Sequence, residues 1–255
     1  ANKIYCGDCL EVMRDIADKS VDMILCDLPY GTTACKWDTI IPFEPLWEQY
    51  KRIIKDNGAI VLTASQPFTS ALVMSNPTMF RYCWVWNKGH GSDFQLAKLR
   101  PMRCHEDICV FSKAKTANGS KLNMKYNPQK TTMKRPVKNG GAPTTKLLHN
   151  NSMGRLDVVY SEKSPQTVIY FNPVFNNTSN HRLHPTQKPV ELFEYLIKTY
   201  TNADDLVLDN CIGSGTTAIA CLNTGRNYIG IEQDEQYCKL ARERIQQHSA
   251  QMKLW

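Results

Sequence analysis

The chain has 255 residues, 42% of them apolar, enough for one α/β domain with an insertion or for two modest domains. No apolar stretch approaches the roughly 20 residues of a membrane span, so a soluble protein is expected. Ten cysteines would suit a disulfide framework in a small secreted domain. In this larger chain they are scattered through apolar strands (Cys26, Cys83, Cys109) and helices (Cys221, Cys238), which points to packed thiols in the reducing cytoplasm. The net charge of +7 is unevenly placed. From Ile108 to Leu156 there are ten Lys or Arg and no Asp or Glu, the pattern of a surface for phosphates.

In chain order, Lys3 to Cys6 predicts a short strand ending at Asp8. Leu10, Met13, Ile16 and Ala17 then recur at helical spacing, and Asp8 or its neighbour can cap that helix. The apolar run Val21 to Cys26 predicts a buried parallel strand, and it delivers Asp27, Leu28, Pro29 and Tyr30 into a loop closed by Gly31. In open α/β sheets that end is where ligands bind. A carboxylate, a backbone carbonyl and an aromatic face suit a planar ring bearing an amino group.

The polar stretch Gly31 to Ile41, with Lys36, reads as a loop beside that site. Phe43, Leu46, Trp47, Tyr50, Ile53 and Ile54 form a helical stripe, which Asn57 and Gly58 are expected to end before a strand from Ala59 to Thr63. A helix around Phe68 to Met74 and strands at Arg81 to Trp86 and Asp107 to Phe111 follow, the last two as an antiparallel edge. Lys88 to His105 between them is either a plain connection or part of a ligand rim. Cys104 and His105 could be a metal or nucleophile pair, but no second pair accompanies them; packing is the better reading and no metal is expected.

The composition then departs from the α/β pattern over residues 113–183, marking a basic insertion with strands near Asp157 to Tyr160 and Thr167 to Phe171. Lys125, Lys130, Lys134, Arg135 and Lys138 are its candidate nucleic-acid contacts. The pattern resumes with a helix bearing Val190, Phe193, Leu196, Ile197 and Tyr200. A strand at Asp205 to Asp209, the loop Gly213-Ser214-Gly215, a helix from Thr216, a strand from Tyr228 to Glu232 and a last helix capped by Asp234 complete it. Strand, glycine loop, helix, strand and acidic residue form a nucleotide-binding arrangement, Glu232 being placed for two ribose hydroxyls. Gly213, Gly215 and Ala218 also satisfy the loose dinucleotide fingerprint, so a dehydrogenase has to be weighed; nothing in the chain resembles its hydride-transfer base.

Four blocks in order carry a more specific likeness: Asp27-Leu28-Pro29-Tyr30, His184-Pro185-Thr186-Gln187-Lys188-Pro189, Asp209 with Gly213-Ser214-Gly215-Thr216-Thr217, and Ile229-Gly230-Ile231-Glu232. Together they resemble the β-group of S-adenosylmethionine-dependent DNA amino-methyltransferases, over about residues 1–112 and 184–246. The resemblance implies a mostly parallel, doubly wound α/β sheet with an antiparallel edge in circularly permuted order. Its catalytic half would be 1–112, its target-recognition insertion 113–183 and its cofactor half 184–255.

By the same resemblance, Asp27 and the Leu28 carbonyl would hold the target amino group and Tyr30 would stack on the base, with Pro29 stiffening the loop. Asp209, Gly213, Gly215 and Thr216 would line the methionine end of the cofactor, Asp27 would touch the cofactor as well as the target, and Thr186 and Lys188 would meet the cofactor's carboxylate. Glu232 would hold the ribose and Asp8 the adenine amino group. Lys36 joins the insert's lysines as a DNA contact. Asp at the first motif position resembles adenine-N6 enzymes more than cytosine-N4 ones, which usually carry Ser. Two departures stand out: Leu28 replaces the usual proline, and Asn210-Cys211 replaces Pro-Phe, where the family makes an apolar contact to the cofactor. The expected partner is double-stranded DNA. The resemblance also allows a homodimer and a cognate restriction enzyme. The weighed rivals are cytosine-N4 transfer, an RNA or protein-amide substrate, and a catalytically silent DNA-binding or cofactor-sensing protein.

Overall fold

The computed structural model describes residues 1–31, 38–138, 159–174 and 187–252. Two compact units are present: one combines Ala1–Asn127 with Thr167–Trp255, and Pro128–Gln166 is the other. The separate unit is narrower than the segment marked by composition. Residues 113–127 pack on the α/β unit through Ala114 and Met124, and Ile169 joins the same core.

The α/β unit is built on an eight-stranded sheet with the order β1-β10-β9-β2-β3-β5-β4-β8. Its strands are β1 (Lys3–Cys6), β2 (Val21–Asp27), β3 (Ile54–Ala64), β4 (Phe80–Ser92), β5 (Arg103–Phe111), β8 (Val168–Tyr170), β9 (Leu206–Asp209) and β10 (Asn227–Glu232). From β1 to β3 every neighbouring pair is parallel. β5 runs against both β3 and β4, and β8 adds a parallel strand outside β4. The antiparallel pair expected at this side is therefore β4 with β5, and β8 forms the rim.

β2 shows why the sheet must be covered on both faces. Met23 and Leu25 enter one core cluster and Ile24, Cys26 and Leu28 the other, all with little or no exposure. The first cluster takes α4 (Val190–Tyr200) and α5 (Thr216–Thr224). The second takes α1 (Cys9–Arg14), α2 (Phe43–Ile53) and α3 (Phe68–Ser75). α6 (Glu235–Met252) closes the unit, with Ile245 in the first cluster.

Two local readings change. Asn57 and Gly58 do not end a helix: α2 stops at Ile53 and β3 starts at Ile54, with a register shift opposite β2 between Val21 and Met23. Gly58 is needed there for closeness, because a Cβ would come 2.6 Å from the Asp22 carbonyl oxygen. Nor are all the cysteines free thiols, since Cys6 is disulfide-bonded to Cys238. Cys6 lies opposite Glu232 in the β1–β10 register, and α6 begins just beyond that glutamate. The folded-back chain thus brings together two cysteines 232 positions apart.

In the second unit, β6 (Thr131–Lys138) pairs antiparallel with β7 (Val159–Lys163). Among the described residues no helix is long and apolar enough to cross a membrane.

Candidate active site

Four neighbouring parallel strands each deliver a carboxylate at or just past the carboxyl end: Asp8 after β1, Glu232 on β10, Asp209 on β9 and Asp27 on β2. The chain leaves β9 toward β10 on one side and β2 toward β3 on the other. The crevice between Asp209 and Asp27 is thus the switch point of the sheet, where ligands of open α/β folds bind. All four line one cavity of about 1010 Å³.

On the β9 side, Gly213 and Gly215 have φ of +51° and +86°, left-handed values that favour glycine. The loop they form leads into α5, whose cap is Gly215. A Cβ on Gly215 would lie 3.3 Å from that of Ala241, so the same residue also lets the loop pack on α6. Glu232 accepts the Gly213 N–H on Oε2 at 2.8 Å and the Asp234 N–H on Oε1 at 3.0 Å. Burial nevertheless raises its pKa against those bonds.

Asp209 is buried. Its Oδ1 accepts from the Cys211 N–H at 3.0 Å, and the Thr217 hydroxyl donates to Oδ2. Burial pushes its pKa up to about 7, and the charge of Asp27 adds to the rise. Asp8 fulfils the capping reading, its Oδ1 accepting from Leu10 N–H at 2.7 Å and Glu11 N–H at 3.3 Å, while also lining the cavity. Asn210 and Cys211 form an internal polar bracket. The Tyr50 hydroxyl donates to Asn210 Oδ1 at 2.5 Å, and the Asn210 amide reaches the sulfurs of Cys9 and Cys211, each at 3.6 Å.

On the β2 side, the Tyr30 hydroxyl donates to Asp27 Oδ1 at 2.8 Å and lies 3.0 Å from the Thr63 hydroxyl, which donates to the same oxygen. Phe68 stacks on the Tyr30 ring at 5.2 Å between centroids. Burial raises the Tyr30 phenol well above its usual pKa. The Leu28 side chain is in the core, which leaves its backbone as the group able to act in the site.

Lys188 is placed differently from the resemblance. Only 6% exposed, it puts Nζ 2.6 Å from Asp27 Oδ2 and 3.5 Å from Glu106 Oε2. Burial works against its charge, yet Asp27 and Glu106 outweigh that and raise its pKa. Burial likewise disfavours the Glu106 charge, but Lys188 and Lys88 hold its pKa below the usual range. Glu106 Oε2 is buried without a hydrogen-bond partner in good geometry, and it faces this cavity.

Thr186 and Lys36 lie outside the described residues. The remaining basic candidates sit elsewhere. Lys125 bonds Asp22 at 3.2 Å and Asp205 at 2.5 Å, beside the amino ends of β2 and β9 and at the other end of the sheet from Asp27. Its ammonium neutralises those carboxylates, so the structure removes it from the candidate DNA contacts. Lys130 pairs with Glu162 at 3.2 Å, Lys134 and Arg135 are exposed on β6, and Lys138 ends that strand.

Thr63 and Glu106 belong to no motif, because only the pairing of β3, β4 and β5 brings them to Asp27, while Lys88 opens the stretch expected to be a connection or a ligand rim and lines the cavity. Arg244 belongs to no motif either. From α6 it donates to the Ser214 carbonyl at 3.0 Å and lies within reach of the Ser214 and Thr216 hydroxyls, bracing the glycine loop. Cys6 and Cys9 stand at C-x-x-C spacing, yet the first bonds Cys238 and the second stays free. Among the described residues, no group of three or more His, Cys, Asp or Glu is placed to hold a metal.

The DNA methylase family model matches residues 21–243, which spans both sides of this cavity. The chain belongs to that DNA methylase family. Among relatives of this DNA methylase, the type II methyltransferase M1.MboII of Moraxella bovis is 29% identical over 254 residues, covering 94% of this chain and 95% of that protein. The DNA adenine methyltransferase YhdJ of Escherichia coli K12 is 29% identical over 266 residues, covering 96% and 83%. The crystal structure of the M1.HpyAVI–SAM complex shares the fold, with a TM-score of 0.60 at 24% identity over 95% of this chain and 98% of the other.

Proposed function

We propose that this DNA methylase transfers a methyl group from S-adenosylmethionine to the N6 amino group of an adenine flipped out of duplex DNA. The observation that carries the reading is one cavity with Asp27 and Tyr30 on one wall and the Gly213–Gly215 loop with Glu232 on the other. At about 1010 Å³ it is at the upper end of the roughly 300–1,000 Å³ of small-molecule sites, room for a cofactor and a base together.

The residues fit the cofactor. Left-handed Gly213 and Gly215 bring backbone close to it, with Asp209 and Thr216 at its methionine end. Glu232 offers carboxylate oxygens to the ribose, and Asp8 to the adenine amino group. When bound, S-adenosylmethionine supplies an electrophilic methyl group on a sulfonium. Everything else is left to the side chains and backbone around Asp27.

The amino lone pair of adenine is delocalised into the ring and is a poor nucleophile. Asp27 and the Leu28 carbonyl accept its two hydrogens, favouring a pyramidal nitrogen and stabilising the positive charge that grows during attack. Tyr30, backed by Phe68 and tied to Asp27, offers the base a ring fixed in place, while Pro29 stiffens the loop. Before the base arrives, Lys188 occupies Asp27 Oδ2. Glu106, already 3.5 Å from the ammonium, can keep Lys188 charged when the target amino group takes its place. Because the base cannot be reached inside a duplex, it is turned out at a cost of a few kcal/mol, partly offset by stacking in the site.

Adenine is chosen over cytosine because Asp27 stands where the cytosine-N4 enzymes usually carry Ser, and the relative YhdJ is a DNA adenine methyltransferase. Exposed Lys134 and Arg135, with Lys130, Lys138 and Lys36, are proposed phosphate contacts. A homodimer, a cognate restriction enzyme and a cytoplasmic location complete the reading; the likeness to the type II enzyme M1.MboII favours the second.

The test is incubation with methyl-labelled S-adenosylmethionine and unmethylated duplex DNA, followed by digestion to nucleosides. Label in the deoxynucleoside of N6-methyladenine is the expected result. Label in the deoxynucleoside of N4-methylcytosine would overturn the base assignment, and no label on any DNA would overturn the reaction.

A further inference from the structure

β4 and β5 leave the core as a hairpin whose inner part is buried, with Trp84, Trp86 and Ile108 to Phe111, and whose outer part is exposed. At its tip, Phe94 is 75% and Leu99 83% exposed, and Leu96 and Met102 stand beside them in the chain. Apolar side chains this open usually sit on segments that yield. Here the tip is tied down.

Asp93 adopts a left-handed φ of +65°, and its Oδ2 accepts from Arg103 Nε at 2.8 Å and Arg100 Nη2 at 3.0 Å. Backbone bonds from Leu96 to Asp93, Leu99 to Leu96 and Arg100 to Leu96 close a short helical turn. Gly91 packs so closely that a Cβ would come 2.8 Å from that of Met102. A pre-ordered tip that presents large apolar groups to water calls for a partner.

The charge and position of the hairpin choose that partner. From Lys88 to His105 there are four Lys or Arg and one acidic residue, Asp93. Its root, through His90, Gly91, Ser92 and Arg103, lines the mouth of the cavity that holds Asp27. A basic, internally hydrogen-bonded, apolar-tipped hairpin rising from the cavity that would take the base matches a charged backbone with a stacked interior. Apolar side chains driven between base steps are a known way to unstack and kink a duplex.

We propose that the hairpin tip is a wedge, with Phe94 and Leu99 entering the base stack beside the target nucleotide and holding the space it leaves. Lys98 and Arg100 meet the adjacent phosphates. Stacking on the inserted side chains offsets part of the cost of turning the base out, so the wedge acts on opening and not on methyl transfer. It rests on the DNA-methyltransferase reading.

The experiment compares the full chain with a Phe94→Ala/Leu99→Ala variant on three substrates carrying the mapped site: a duplex, the same duplex with an abasic position opposite the target, and the single strand. The expected result is a loss of kcat/KM of about tenfold or more on the duplex and less than about twofold on the other two. The 2-aminopurine fluorescence rise at the target should shrink in parallel, with unchanged melting temperature. Equal losses on all three substrates, no loss on any, or conversion of a dimer to a monomer in sedimentation would overturn the wedge, the last by making the tip an interface between copies. If the unmodified protein methylates none of the three, the underlying reading fails before the wedge is reached.

Discussion

β2 carries an acidic cluster near each end, and the two are made of the same chemistry. Near its start, buried Asp22 bonds Lys55 at 2.8 Å and Lys125 at 3.2 Å, and Lys125 also holds Asp205. At its finish, Asp27 bonds Lys188, which reaches Glu106, which pairs with Lys88. The first cluster also takes the Leu206 N–H and is closed by strands and the 113–127 segment. The second opens on a cavity and contains a buried carboxylate oxygen that is not fully bonded. Residue type does not separate a structural ion cluster from a catalytic one; access and an unspent acceptor do.

The largest effect that would break this contrast is at Asp27. Asp27→Ala should lower kcat by about 10²–10³-fold or more while the thermal shift with S-adenosylmethionine persists. Equal loss of both would make Asp27 a cofactor-binding or folding residue. At the other end, Lys125→Met should cost about 1–3 kcal/mol in urea unfolding and leave kcat/KM of the folded protein unchanged. Lys55, Leu206 and Lys125 together depress the pKa of Asp22 in spite of its burial. That contribution is present above the ordinary Asp pKa and is lost as pH falls through the lowered value, so the variant should unfold at a higher pH on acid titration.

The cofactor wall supplies a sharper test. Because Asp209 titrates at about 7, its negative form gains as pH rises, and a cationic ligand at the methionine end binds that form better. Affinity for S-adenosylmethionine should rise about tenfold from pH 6 to pH 8, and Asp209→Asn should flatten the curve. A smaller change is expected in Glu106→Gln. Lys188 keeps its raised pKa through two carboxylates, and with one neutralised it loses its proton at lower pH. The alkaline limb of kcat should move down, with KM for the cofactor little changed; an unmoved limb would leave Glu106 a packing residue.

The amount of this that can be read in the sequence follows contact distance. Asp27 to Tyr30 and the Gly213 loop are legible because strand, turn and ligand-facing residue are consecutive. Lys125 misleads because a run of like charges says nothing of the carboxylates waiting at Asp22 and Asp205. Thr63, Glu106 and Arg244 carry no local signal at all, since each reaches the site from a different strand or helix. Asn57-Gly58 looks like a helix stop by composition, and sits in a strand because β3 must approach Asp22 there.

The sheet order has a consequence for synthesis. β2 finds one neighbour, β3, soon after it is made, but the other, β9, pairs Met23 with Val207 and Ile24 with Leu208, and β1 waits for β10. A growing chain therefore exposes a nearly continuous apolar strand on one flank until Leu206 to Asp209 have left the ribosome. Chain that stops short of Leu206 would carry the complete Asp27 tetrapeptide with β3 on one side and no β9 on the other, so a prematurely terminated product is an aggregation hazard and not a partial enzyme.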